Sequence, residues 1–261
     1  MTKSLFFLCA LLWTMLAAAQ DSVLHRVILI GDAGEMDAAQ QSLIPDAASR
    51  VLPGRTTVLY LGDNIYPRGI GLPGSADQSR TENILRSQWQ PLRTAGSAVY
   101  FIPGNHDWHR MGKNGLAKIK RQWQFVQEQQ DSLLQLVPPN GCPDPVAIPV
   151  GDSLVIIAFD SEWWLFPFDK QNPQADCDCQ SRDEVLARFN ELFYENRYKM
   201  ILLAAHHPFQ SYGTHGGRFS LKDHLFPLTV ANKNLYIPLP VIGSLYPLLR
   251  KTFSNPEDLG H

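Results

Sequence analysis

Residues 56–66 read Thr-Thr-Val-Leu-Tyr-Leu-Gly-Asp-Asn-Ile-Tyr (TTVLYLGDNIY). Six β-branched, aromatic or aliphatic residues, Thr56 to Leu61, form a short apolar run of strand character. The run stops at Gly62-Asp63-Asn64, a turn signal that carries a carboxylate and an amide. The same design recurs on either side. Val23 to Ile30 is a strand run that ends in Gly31-Asp32-Ala33-Gly34, and Ser97 to Ile102 ends in Gly104-Asn105-His106-Asp107. Leu154 to Phe159 ends in Asp160, and Met200 to Ala205 ends in His206-His207-Pro208, with Gly213-Thr214-His215-Gly216-Gly217 beyond. Helical periodicity predicts helices over Gln78 to Arg93, Leu116 to Leu136 and Arg182 to Asn196. Strands alternating with helices predict an α/β sheet protein, in which ligands sit just beyond the C-terminal strand ends. Those ends deliver Asp, Asp, Asn-His-Asp, Asp and His-His to one rim.

Composition narrows the classes. The chain has 261 residues, 44% apolar and 18% charged, with 23 Lys+Arg against 25 Asp+Glu and a net charge of −2. This excludes a disordered chain, which needs low hydrophobicity and high net charge. It also argues against nucleic-acid binding by a basic surface, since no cation excess exists to neutralise phosphates. No repeat or low-complexity tract interrupts the chain.

The N-terminus reads as an export signal over residues 1–19. Lys3 opens it, Leu5 to Leu16 is an apolar run too short to span a bilayer, and Ala17-x-Ala19 is a small-residue cleavage pattern. Removal leaves a domain over residues 20–261, exported to the periplasm or the extracellular space, with no transmembrane span. Its three cysteines, Cys142, Cys177 and Cys179, predict one disulfide, from Cys142 to either Cys177 or Cys179, and one free thiol. Nothing in the sequence indicates the oligomeric state.

Oxygen and imidazole donors without thiolate suit metals of intermediate hardness, Mn, Fe or Zn. Two carboxylates on neighbouring strand ends are able to share a pair of ions, which clamp the attacking and leaving oxygens of a displacement at phosphorus. The series GDAG, GDNIY, GNHD and HHP resembles the calcineurin-like metallophosphoesterases, and the Tyr three residues after the second Asp resembles the purple acid phosphatase type. The resemblance runs from about Val23 to at least Gly217. It implies a four-layer α/β/β/α sandwich and a dinuclear centre that hydrolyses phosphate monoesters by in-line attack of a metal-bound hydroxide. It further implies that Asp32 and Tyr66 bind the first metal, that Asp63 bridges, and that Asn105 and His206 bind the second, with His207 the neighbouring alternative. His106 and His215 are implied to touch the substrate phosphate and protonate the leaving group, with Asp107 holding His106 in its tautomer. A phosphodiesterase or nucleotidase of the same superfamily shares these motifs.

The family's late Gly-His-x-His motif is not found. After His215 only His224 and His261 remain, and the chain ends Leu259-Gly260-His261. The domain is therefore expected to be incomplete at its C-terminus, which leaves a non-catalytic phosphate-binding fragment as a rival reading. His224, in a predicted helix after Leu221, is the candidate substitute ligand. The uncharged, proline-containing stretch Leu235 to Leu249 is expected to pack on the sheet face rather than form a lid, membrane loop or partner surface. Trp163, Trp164, Phe166 and Phe168 suit either core packing or a substrate pocket.

Overall fold

A computed structural model of the chain describes residues 23–172, 175–212 and 218–252. The expected signal segment and His215 lie outside the described residues. The first half is a run of β–α units: β1 (Arg26–Ile30), α1 (Ala38–Ser49), β2 (Thr56–Leu61), α2 (Gln78–Thr94), β3 (Ala98–Ile102), α3 (Gly115–Gln127) and β4 (Leu134–Leu136). The four strands pair in parallel in the order β1-β2-β3-β4. The second half opens with the antiparallel hairpin β5 (Val146–Val150) and β6 (Leu154–Ala158). It continues through α4 (Ser161–Leu165), α5 (Arg182–Glu195) and β7 (Met200–Ala204), which pairs in parallel with β6. Two short helices, α6 (Leu221–Leu225) and α7 (Leu245–Thr252), follow.

Alternation of side chains along each strand separates two cores. Val58 and Tyr60 of β2, with Val99 and Phe101 of β3, pack under Ile44 of α1, Leu85 and Leu92 of α2 and Phe125 of α3. The intervening residues, Leu59 and Ile102, point the other way and meet Ile148, Ile156 and Ala158 of the second sheet. The two sheets therefore pack face to face, with helices α1 to α3 outside the first. Outside the second lies α5, whose Phe189 ring meets Phe159 edge-on with centroids 5.0 Å apart. Each large apolar side chain buried this way contributes about 1.5–3 kcal/mol. The expected four-layer α/β/β/α sandwich is the architecture observed.

All five expected strands are present, Thr56–Leu61 with the expected bounds and the other four slightly shorter, and the structure adds β4 and β5. The predicted helix over Leu116 to Leu136 stops at Gln127, and the chain turns through Gln130 (φ 53°) into β4. β5 carries Pro149 and so reads poorly as a strand, but it lies at the edge of its sheet, where a missing N–H is tolerated. α1 was also missed. Its Asp37 side chain caps Gln40 N at 2.8 Å, and Pro45 sits inside the helix. The disulfide is Cys142–Cys177, while Cys179 is a buried free thiol.

The expectation for Leu235 to Leu249 is corrected. This stretch does not pack on the sheet face. Ile237, Val241, Ile242, Leu245, Leu248 and Leu249 are all exposed. The aromatic group divides between the two readings: Trp163 and Phe166 join Trp108 in a third buried cluster, whereas Trp164 lines a surface cavity.

Candidate metal centre

Gly62 and Gly104 make the rim possible. Gly62 has φ 93°, a left-handed conformation that a side chain strains to adopt, and a Cβ there would lie 2.5 Å from His206 Nδ1. Asp32 (φ 56°) and Asp63 (φ 53°) hold left-handed conformations without being glycine, a strain typical of functional strand ends. Both carboxylates accept from one phenol: Tyr66 OH lies 2.9 Å from Asp63 Oδ2 and 3.1 Å from Asp32 Oδ1. One hydroxyl proton serves two acidic groups. Burial, and then the charges of Asp63 and Asp32, push the Tyr66 phenol well above its usual range.

The other side of Asp63 faces imidazoles and an amide. Its Oδ1 accepts from His106 N at 2.9 Å and lies 3.5 Å from His206 Nε2. His206 Nδ1 lies 2.8 Å from the carbonyl of Leu61, so that nitrogen carries the proton and donates. The Nε2 lone pair then faces Asn105 Oδ1 at 3.1 Å as well as Asp63 Oδ1. Three acceptors gathered without a shared proton repel one another, and a cation among them removes that repulsion. Asp32, Asp63, Tyr66, Asn105 and His206 thus form one donor set of oxygen and imidazole, suited to a divalent metal.

His207, the alternative ligand, turns away. Its Nδ1 is 3.0 Å from Ser161 Oγ and its Nε2 is 3.6 Å from Glu162. The two residues lie in a bend just after β7 with their rings edge-on, centroids 4.9 Å apart, and of the pair it is His206 whose Nε2 faces Asp63 and Asn105. His106 does reach it, with Nε2 3.9 Å from Asp63 Oδ2 and its ring edge-on to Tyr66. The role assigned to Asp107 is corrected. His106 Nδ1 is held by the carbonyl of Pro67 at 2.7 Å, not by Asp107. Asp107 is fully buried and accepts from Gly104 N, Asn64 N and Asn64 Nδ2 at 2.9–3.1 Å. Its side chain points back under the turn and braces the ends of β2 and β3. His224 is engaged elsewhere, 3.1 Å from Ser244 Oγ, within the segment around α6.

The supports that sequence reasoning missed are largely backbone groups. The carbonyls of Leu61 and Pro67 orient the two histidines and leave no side-chain signal. Asn64, part of the turn motif in sequence, also braces the rim: its amide donates to Ile102 O at 2.8 Å, and Gln88 Nε2 donates to Asn64 O at 2.7 Å. Asp160, the fourth acidic strand end, caps α4 through Glu162 N and Trp163 N and accepts the Trp108 indole N–H at 2.8 Å. Cys142, Asp144 and Cys177 also cluster, but the two sulfurs are joined to each other and offer no thiolate.

The family model described as calcineurin-like phosphoesterase matches residues 25–237, which span every ligand candidate named above. The chain belongs to the calcineurin-like phosphoesterases. Members of this family are metal-dependent phosphoric ester hydrolases that act on phosphate esters and bind divalent cations. Curated proteins give no match. Among solved structures, the crystal structure of the protein of unknown function AQ665 from Aquifex aeolicus is similar at 11% identity. The match covers 67% of this chain and 75% of that one, with a TM-score of 0.29.

Within this calcineurin-like phosphoesterase two buried carboxyls bear on stability. Burial, and then the charge of Asp63, pushes Asp107 up to about 7. Burial pushes Asp160 up to about 6 against the Trp108 indole N–H. A carboxyl raised in the folded state stabilises fully below its unfolded value, and that contribution is lost as pH rises through the folded value. The metal-free parent should therefore lose stability relative to Asp107→Asn as pH climbs from about 4 to about 7. Thermal melts of both proteins across that window check this. A parent that gains on the variant with rising pH contradicts it.

Proposed function

We propose that this chain is an exported phosphomonoesterase of the purple acid phosphatase type, working with two metal ions. The observation that carries the reading is Tyr66 OH held between Asp63 and Asp32, at 2.9 and 3.1 Å. A phenol placed between two carboxylates would be positioned to serve as a phenolate ligand to a trivalent cation held there. Asp32 and Tyr66 would hold one ion, Asn105 and His206 the other, and Asp63 would bridge them. Fe, Mn and Zn all suit this donor set. Such ions supply Lewis acidity for the phosphoryl oxygens and acidify bound water.

The chain's own groups bind and orient. His106, fixed through Nδ1 on Pro67 O, presents Nε2 toward Asp63 and so toward the phosphate site. In its protonated form Nε2 donates to a phosphoryl oxygen. His215 is proposed to protonate the leaving alkoxide. Export is supported by the Lys3 and Leu5 to Leu16 pattern with Ala17-x-Ala19, and by the Cys142–Cys177 disulfide.

One observation favours a second reading, a phosphodiesterase or nucleotidase. A cavity of about 540 Å³, lined by Phe159, Trp164, Phe189, Phe193 and Phe209, borders His207. The His207 and His206 ring centroids are 4.9 Å apart, which places this cavity beside the proposed centre, where a large second ester group would lie. Rates on 4-nitrophenyl phosphate and bis(4-nitrophenyl) phosphate, measured after loading with Fe, Mn or Zn, separate the two. Faster monoester hydrolysis with close to two ions bound per chain is expected. Faster diester hydrolysis replaces the monoesterase reading with the second one. Neither activity together with one ion or none replaces both with a non-catalytic phosphate-binding domain.

A further inference from the structure

The segment after β7 builds a lobe around itself. Ser220 caps α6 in a reciprocal pair with Asp223, and Leu239 N donates to Leu225 O at 2.8 Å. A Cβ at Gly243 would lie 2.1 Å from His224 O, so the two stretches touch through backbone. This ordered lobe turns its apolar side chains outward. Val241 is 87% exposed and Ile242 is 65% exposed. Leu245, Leu248 and Leu249, at helical spacing i, i+3 and i+4, place a further apolar face of α7 in solvent.

Charge distinguishes this surface from an ordinary protein-binding patch. No charged residue occurs from Asn234 to Leu249, while Lys233 and Arg250 bracket the stretch. Residues 218–250 hold four Lys+Arg against one Asp, a net of +3, so the remainder of the chain carries −5 of the total −2. Tyr236 and Tyr246 add amphipathic rings, and Lys222 Nζ sits 5.1 Å over the Tyr236 ring. Exposed aliphatic residues, interfacial tyrosines and flanking cations are the components of a surface that lies in a lipid headgroup region. No helix among the described residues is long and apolar enough to cross a membrane.

We propose that the lobe, through Ile237, Val241, Ile242 and the outer face of α7, docks on an anionic lipid bilayer. The cations meet the headgroups and the aliphatic tips enter the acyl boundary. The acidic remainder of the molecule is repelled by the same surface, which orients the protein lobe-first.

Hydrogen–deuterium exchange of the whole chain tests this, with vesicles of phosphatidylglycerol or of phosphatidylcholine. Exchange over residues 235–250 is expected to slow several-fold on the anionic vesicles and not on the neutral ones. The local readout is separate from any binding by the apolar stretch Leu5 to Leu16. The double variant Val241→Asp/Ile242→Asp, altered only at exposed positions, should lose that protection while exchange in β2 and β3 stays as in the parent. Lys233→Glu should weaken it. Unchanged exchange on anionic vesicles overturns the proposal, and so does equal protection on both lipids. Protection that appears with rising protein concentration and no lipid also overturns it, and assigns the face to a second copy of the chain.

Discussion

Replacing Asp63 by Asn is expected to abolish phosphoester hydrolysis while both sheets stay folded. Asp63 is the group on which the centre converges: Oδ1 takes the His106 backbone N–H and faces His206, and Oδ2 takes the Tyr66 hydroxyl. An asparagine keeps one oxygen for His106 N, and its amide is able to donate to the Tyr66 oxygen, so local bonding survives. The negative charge between the two halves of the donor set is lost. Loss of a single preorganised electrostatic partner already costs on the order of 10²–10³ in rate, and a bridging charge should cost at least about 10³. Metal content, kcat/KM on 4-nitrophenyl phosphate and a thermal melt, measured together, check the claim. Full activity with full metal content would sink the bridging assignment. The substitution carries a second signature. The Asp63 charge helps raise Asp107, so its removal should move the pH dependence of the metal-free protein to lower pH.

Gly104→Ala is expected to damage fold and centre together. A Cβ at this position would lie 2.3 Å from Asp63 N and 2.4 Å from Asp63 Oδ1, with His206 Cγ at 3.0 Å. The nearest atom is backbone, so no rotamer relieves the clash, and the ends of β2 and β3 must separate. Overpacking of this kind costs about 1–3 kcal/mol, and more where backbone must move. For a domain of this size that corresponds to a fall in Tm of about 3–10 °C. Separation also breaks the brace of Asp107 on Gly104 N and Asn64 N, so metal affinity should fall with stability. Gly31→Ala is the matched control. A Cβ there meets nothing within 4 Å, and the change should be near neutral. Equal melting of Gly104→Ala and the parent would show that this close approach does not constrain the rim.

The legible part of the centre was the part written in side chains at strand ends. Asp32, Asp63, Tyr66, Asn105, His106 and His206 each follow a run of apolar residues, and the structure gathers all six. The errors have a common origin. Asp107 and Asp160 look like the others in sequence, but each turns inward to satisfy backbone N–H groups that a tight strand-end turn leaves without partners. No spacing rule distinguishes a carboxylate that faces solvent from one that braces a turn. β4 and β5 were missed because three residues in one case, and a proline in the other, carry too little periodicity.

The sequence by itself determined the α/β alternation and the strand ends that carry Asp32, Asp63, Tyr66, Asn105, His106 and His206. All of these follow from local runs and the turn chemistry that ends them. Only the tertiary structure decided the choice of His206 over His207, the pairing of Cys142 with Cys177, the inward turn of Asp107 and the exposure of Leu235 to Leu249. Each of these depends on which face of an element meets which neighbour. That is set by contacts between residues as far apart as Leu61 and His206, and so lies beyond any local pattern.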